Sequence, residues 1–165
     1  MATSRSLSTG KMIIFYFVIS FILHLLWENL QAPLYADFIS FQQHFLLCLT
    51  AAATGDMVFM AIIYLMLAAA YRSTGWMSDR HSYAQPATWL LPVFMGIPLA
   101  VMTELRAVYV VHRWAYATTM LLLPFYHVGL TPVLQMIIVP LFVLLLMKLM
   151  EEAKRLEDAD VGSQA

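Results

Sequence analysis

The chain has 165 residues, 62% of them hydrophobic and 12% charged, with a formal net charge of −1. Soluble domains average roughly half apolar and a quarter charged, so this composition excludes an ordinary soluble domain, and apolar runs of about twenty residues place the chain in a bilayer. The near-neutral balance excludes a nucleic-acid partner, and a single cysteine, Cys48 in an apolar run, excludes an internal disulfide and reads as a small buried thiol.

The predicted class is all-α: a polytopic membrane protein of four transmembrane helices, with one membrane domain at 12–150 and no separately folding domain. Residues 1–11 are small and polar and are read as a disordered N-terminus. The first span is expected at about 12–30. Its apolar run is longer than the core of a cleaved signal peptide, about 7–15 residues, and no small-x-small site closes it. Near its end, His24, Glu28, Gln31 and Tyr35 follow at helical spacings and form one polar stripe. Pro33 breaks the helix, and a loop containing Asp37 and His44 leads to the second span at about 45–70. That span carries the small-residue stretch Ala51-Ala-Ala-Thr-Gly55, which allows close helix approach, followed by Asp56.

A polar loop with Arg72 and Arg80 precedes the third span at about 88–103, where Gly96 and Pro98 suggest a kink. Glu104, Arg106, Arg113 and Trp114 then lie in a mixed segment with some helical periodicity. The run Met120-Leu-Leu-Leu-Pro-Phe-Tyr126 is too short to cross and is read as an interfacial or re-entrant piece before the last span. The fourth span is expected at about 130–150, with Pro132 in its first turn and Pro140 as a second kink. Residues 151–165 form a charged C-terminal tail, helical where Glu151 and Arg155 pair, with its last residues disordered.

Seven of nine Lys and Arg residues (Arg5, Lys11, Arg72, Arg80, Lys148, Lys154, Arg155) fall on one side of a four-span topology. That side is cytoplasmic by the positive-inside rule, which puts both termini inside; five spans would put the basic tail outside. The expected location is the bacterial inner membrane, multi-pass. Intramembrane ionisable residues then cluster toward the outer side. Asp56 lies ~16 Å from the outer end of its span at 1.5 Å per residue, near the midplane, and the inner half is almost wholly apolar.

Charges inside a span cost about 2.5–3.5 kcal/mol on insertion scales and mark a site by default. The sequence therefore points to a polar pocket in the outer half, with His24, Glu28, Asp56 and Glu104 as acid–base candidates. Trp27, Gln31, Tyr35, Arg113, Trp114, Tyr116 and Gln135 are candidate binding residues, with Arg113 as the expected partner of Glu28. The plainer readings are ion pairs that tie spans together, an outer aromatic belt (Trp27, Tyr35, Trp114, Tyr116, Tyr126) and an inner one (Trp76, Trp89). His24 and Glu28 at i, i+4, with Glu104, His112 and His127, could also hold a metal, but no HExxH or Cys/His cluster is present; metal and cofactor stay unknown.

As a set, Trp27-Glu28-x-x-Gln31-x-Pro33-Leu34-Tyr35, Gly55-Asp56, Glu104, Arg113-Trp114-x-Tyr116, Pro124 and Gly129-Leu130-x-Pro132-x-x-Gln135 resemble a family of small bacterial polytopic membrane proteins over about residues 20–145. The resemblance implies no activity, and His112 stands where that family carries a glycine. The spacing of His24, Glu28 and Glu104 is also similar to the EXPERA group, which includes emopamil-binding sterol isomerases. That resemblance implies that His24 and Glu28 move protons and that Glu104 stabilises a cationic intermediate; Arg113 has no counterpart there. The leading expectation is a membrane protein that binds or modifies an apolar lipid- or isoprenoid-like molecule by acid–base chemistry. A proton or metal-ion transporter, or its accessory, is the alternative. A structural subunit of a membrane complex is the third, with the bilayer and a membrane-complex or homo-oligomeric partner as its contacts.

Overall fold

The computed structural model describes residues 9–163. Helix α1 covers Thr9–Gln31 and ends in a 3-10 turn, Ala32–Leu34. Helix α2 (Phe41–Ala51) passes through a π turn, Ala52–Asp56, into α3 (Met57–Tyr71), so the second span is one composite helix. A 3-10 turn at Trp76–Ser78 and the short α4 (Arg80–Ala84) lead to α5 (Pro86–Leu105), which is extended by a second π turn, Arg106–Val110. Helix α6 (Leu130–Ser163) completes the chain. Four of these segments are long and apolar enough to cross a membrane, in agreement with the all-α polytopic class.

The ends differ from the expected ones for local reasons. Helix α1 starts at Thr9, so residues 9–11 are helical rather than disordered; the remainder of the expected N-terminal disorder lies outside the described residues. Ser40 caps α2 by accepting from Gln43 N–H at 3.4 Å, so the second span begins four residues early, at Phe41. Helix α3 ends with Arg72 in the left-handed region (φ 52°) while Ser73 N–H closes on the Ala68 carbonyl at 3.0 Å, a Schellman-type stop. The mixed segment after Glu104 is helical to Val110. Helix α6 has 34 residues, about 51 Å at 1.5 Å per residue, and so outruns a hydrocarbon core of about 30 Å. Its surplus carries the charged tail, where Glu151 and Arg155 form the expected ion pair.

The segment at 111–129 contains no helix. It folds over one end of the bundle, joined to the exit of α1 by Ala36 N–H to Ala115 carbonyl and Ala117 N–H to Leu34 carbonyl, both 2.9 Å. A second bridge, Leu122 with Gly129, closes a hairpin whose tip exposes Phe125 and Tyr126. We call this the far end; Thr9, the loop at 72–79 and the charged half of α6 form the near end.

The near-end half is a dry core built from Met12 and Tyr16 of α1, Met60, Ile63 and Leu67 of α3, and Val143, Leu144 and Met147 of α6. Its buried hydroxyls turn to backbone: Tyr16 donates to the Met60 carbonyl at 3.0 Å and Ser20 to the Tyr16 carbonyl at 2.6 Å. Trp76, expected in an aromatic belt, is 1% exposed and belongs to this core beside Tyr64, Tyr71 and Tyr83. Trp89 instead donates from the partly buried rim to the Tyr83 carbonyl at 2.9 Å.

Helix α5 runs on through Pro92 and Pro98, and Gly96 between them serves close packing. A Cβ at Gly96 would collide with the Met136 carbonyl oxygen of α6 and sit 3.1 Å from its carbon. Both are backbone atoms, so relief requires moving a helix. Gly96→Ala is expected to cost about 1–3 kcal/mol as an overpacking change, read as a lower thermal midpoint in detergent. Gly55→Ala, where a Cβ meets nothing within 4 Å, should leave the midpoint unchanged or raise it. Equal midpoints for Gly96→Ala and the parent chain would contradict this packing.

Candidate functional site

The far-end half contains a polar layer fed by all four spans. Gln135, five residues into α6 and 1% exposed, is its centre. Its Oε1 accepts from Gln31 Nε2 at 3.0 Å, and its Nε2 donates to Asp56 Oδ2 at 3.2 Å and lies 3.0 Å from His24 Nδ1. Asp56 Oδ2 also lies 3.4 Å from His24 Nδ1. Gln31 Nε2 donates to Glu28 Oε1 at 3.1 Å, and Gln31 Oε1 accepts from Trp27 Nε1 at 3.2 Å. The stripe read in the sequence is thus one edge of a network joining the first, second and fourth spans.

The π turn explains how Asp56 reaches the network. Cys48, Ala52 and Asp56 are buried at strict four-residue intervals, wider than the 3.6 of an α-helix. A π turn supplies the extra residue and keeps these positions on one face. Small side chains make it tolerable, and Thr50 and Thr54 hydroxyls bond back to carbonyls four residues earlier at 2.7 Å, a pattern that bends helices.

Glu104 closes the layer from α5. Its Oε2 accepts from Tyr116 OH and from Trp114 Nε1 at 3.4 Å. Tyr35 packs edge-on to Trp114 and against Tyr116, with ring centroids at 6.2 and 6.0 Å. A Cβ at Gly129 would sit 3.1 Å from the Tyr116 ring, so the glycine of the Gly129-Leu130-x-Pro132 stretch makes room for that ring. Burial pushes the Tyr116 phenol above its ordinary range, and its bond to the Glu104 carboxylate adds to the shift. Burial first, then the charge of Glu104, does the same for Tyr35. Both phenols therefore stay protonated donors through neutral and mildly alkaline pH.

These groups border a cavity of about 310 Å³, at the lower end of the range for small-molecule sites. Glu28, Asp56 and Glu104 line it, with Gln31, Tyr35, Arg113, Trp114 and Gln135. His24, Trp27 and Tyr116 do not: His24 is sealed behind Gln135, Tyr116 acts through Glu104, and Trp27 faces a separate apolar groove between α1 and α6. The apolar wall includes Leu47 and Cys48 of α2, Phe59 of α3, Leu99 and Ala100 of α5, and Met136 of α6. Helix α2 packs on α1, whereas α5 packs on α6 and α3. Exposed Thr54, Gly55 and Thr103 lie along the gap between α2 and α5, and both π turns border it. The cavity therefore has an exposed border between the spans, at Thr54, Gly55 and Thr103, and another at the far end, at Asp37, Arg106 and Arg113.

Two expectations fail. Arg113 does not pair with Glu28; its guanidinium lies over the Trp114 ring, 5.5 Å from the centroid, and its backbone N–H donates to the Ala107 carbonyl at 2.8 Å. Glu28 takes its hydrogen bond from Gln31 instead. The mixed metal sphere does not assemble either. Among the described residues no three His, Cys, Asp or Glu side chains are grouped to hold an ion. His112 and His127 are exposed on the far-end segment, both at positive φ (48° and 54°), a region that favours glycine.

Residues that sequence reasoning passed over are Asp37, His44, Thr54 and Thr103, all on the cavity wall. A signal was present: His44, Leu47, Cys48, Ala51 and Gly55 follow helical spacing and form a stripe facing the Glu28 side. Comparisons with protein-family models, curated proteins and solved structures return no match for this chain.

The absence of a Glu28–Arg113 pair makes a charge swap informative. Glu28→Arg combined with Arg113→Glu should be no better folded than Glu28→Arg alone, measured as monodisperse yield and thermal midpoint. Recovery in the double variant would re-establish the ion pair that the geometry excludes.

Proposed function

We propose that this chain is a bacterial inner-membrane protein that admits a lipid- or isoprenoid-like molecule sideways from the bilayer and binds or modifies it by acid–base chemistry. The observation that carries the reading is the lateral cavity, where Glu28, Asp56 and Glu104 share one chamber with an apolar wall. Carboxyl groups in such surroundings can hold or release protons near neutral pH. Tyr116 and Trp114 orient Glu104; Gln31 and Gln135 orient Glu28 and Asp56. The basic residues of the near end, among them Lys11, Arg72, Arg80 and Lys154, support a cytoplasmic near end and a site in the outer leaflet.

The likeness to the sterol isomerase group accords with Glu28 and Glu104 facing the same ligand. It departs at His24, which touches Asp56 directly but would act on Glu28 only through the amide network. A transporter would need polar groups continuing to the near end, where Met60, Ile63, Leu67, Val143 and Leu144 stand instead. A purely structural subunit would leave a chamber of this size without a use.

The test is purification in mild detergent followed by native mass spectrometry and exchange in heavy water. A lipid-like adduct of defined mass is expected, lost in Thr103→Trp, which fills the gap. Wild type should introduce deuterium at carbon positions of the bound molecule, and Glu104→Gln should not. An adduct without exchange would limit the protein to binding, and a protein partner in place of any adduct would favour the structural subunit.

A further inference from the structure

The cavity carries two zones of opposite charge that do not neutralise each other. Deep in it, Asp56 and Glu104 are 4% and 5% exposed and come from different spans. The protein holds one oxygen of each: Asp56 Oδ2 by Gln135 and His24, Glu104 Oε2 by Trp114 and Tyr116. Asp56 Oδ1 and Glu104 Oε1 receive no hydrogen bond among the described residues, yet neither is a sealed atom, so each keeps a face open toward the chamber that both residues line. Glu28 adds a third carboxyl within electrostatic reach of both. No Lys or Arg of the described residues forms a salt bridge with any of the three.

At the far-end border, exposed Arg106 and Arg113 line the same chamber, with Asp37 and His44 on the same wall; neither arginine forms an ion pair among the described residues. The Arg113 guanidinium carbon lies over the Trp114 ring, 5.5 Å from its centroid, a contact that consumes none of the guanidinium N–H donors a bidentate oxyanion would use. A simple amine would satisfy the deep carboxylates and leave the arginines alone. A simple anion would do the reverse. One head bearing both charges answers both zones.

Size adds a constraint. The chamber of about 310 Å³ lies at the lower end of the range for small-molecule sites. That accommodates a compact polar head and its first carbons, while longer chains must leave through the gap between α2 and α5 into lipid. We infer that the chamber takes the head of a zwitterionic aminophospholipid, its ammonium N–H groups toward Asp56 and Glu104 and its phosphate toward Arg106 and Arg113. This rests on the lateral-cavity reading above and names the head chemistry of its ligand.

The experiment uses the full chain in mild detergent, challenged with dioleoyl phosphatidylethanolamine, phosphatidylcholine and phosphatidylglycerol, with retained lipid counted by native mass spectrometry. Phosphatidylethanolamine should be retained over phosphatidylglycerol by about tenfold or more. Phosphatidylcholine, which has the cation but no N–H donor, should fall between them. The double variant Arg106→Ala, Arg113→Ala alters exposed side chains and should fold, yet lose most of the phosphatidylethanolamine retention. Glu104→Gln should narrow the preference over phosphatidylglycerol. Equal retention of the three lipids, or an arginine double variant with its preference intact, overturns the head assignment. An apolar adduct bound without head preference overturns it too but leaves the lateral-cavity reading standing; retention unaffected by Thr103→Trp overturns both.

Discussion

One neutral amide holds the far half of this protein together. Inside hydrocarbon there is no water to satisfy polar groups, and each one left unpartnered costs several kcal/mol. Gln135 has a donor end and an acceptor end, and it spends them on residues of α1 and the second span: Gln31 on one side, Asp56 and His24 on the other. A leucine there could pack but could not answer three polar side chains. A charged residue could answer some of them only by adding a further buried charge. The glutamine lets two carboxyl groups and a histidine stay in the membrane without a permanent ion pair.

From that constraint the chamber follows. Because Glu28, Asp56 and Glu104 are oriented by neutral donors rather than by Lys or Arg, their remaining capacity is turned to open space instead of being quenched. The two π turns fall where the chamber needs them: one brings Asp56 inward, and the other carries α5 past Glu104 to the far-end cover. The cover is pinned to the exit of α1 by two backbone bonds, and it delivers Trp114 and Tyr116 to Glu104. The near half, by contrast, is a packed apolar core that gives the site a rigid floor.

Much of this was legible in the residues. Apolar run length gave four spans, and ionisable residues within them marked a polar layer, because both follow from the free energy of burying groups in lipid. The misreadings share a cause. Pairing Glu28 with Arg113 rested on opposite charges expected on the same side of the membrane; an aromatic face and a neutral amide compete with that pair, and the sequence does not rank them. Trp76 was assigned to a belt by its residue type, but the loop at 72–79 folds back under α6 and buries it. Gly96 next to Pro98 suggested a kink, and nothing in the sequence showed that the glycine also answers a carbonyl on another helix. Asp37 looked like loop polarity because nothing local shows that its loop borders a cavity, and His44 was read with that loop because the start of α2 was set four residues late.

The central claim is that the far-end spans are joined through one shared amide. The most direct measurement is a double-mutant cycle on Gln31→Met and Gln135→Met, substitutions that keep volume and remove the α1–α6 hydrogen bond of 3.0 Å. Unfolding free energies in bicelles should show a coupling of about 0.6–1.7 kcal/mol, the span measured for interhelical hydrogen bonds in membranes. Additivity within about 0.3 kcal/mol would mean that the two glutamines act independently and that the polar layer is not the tie described.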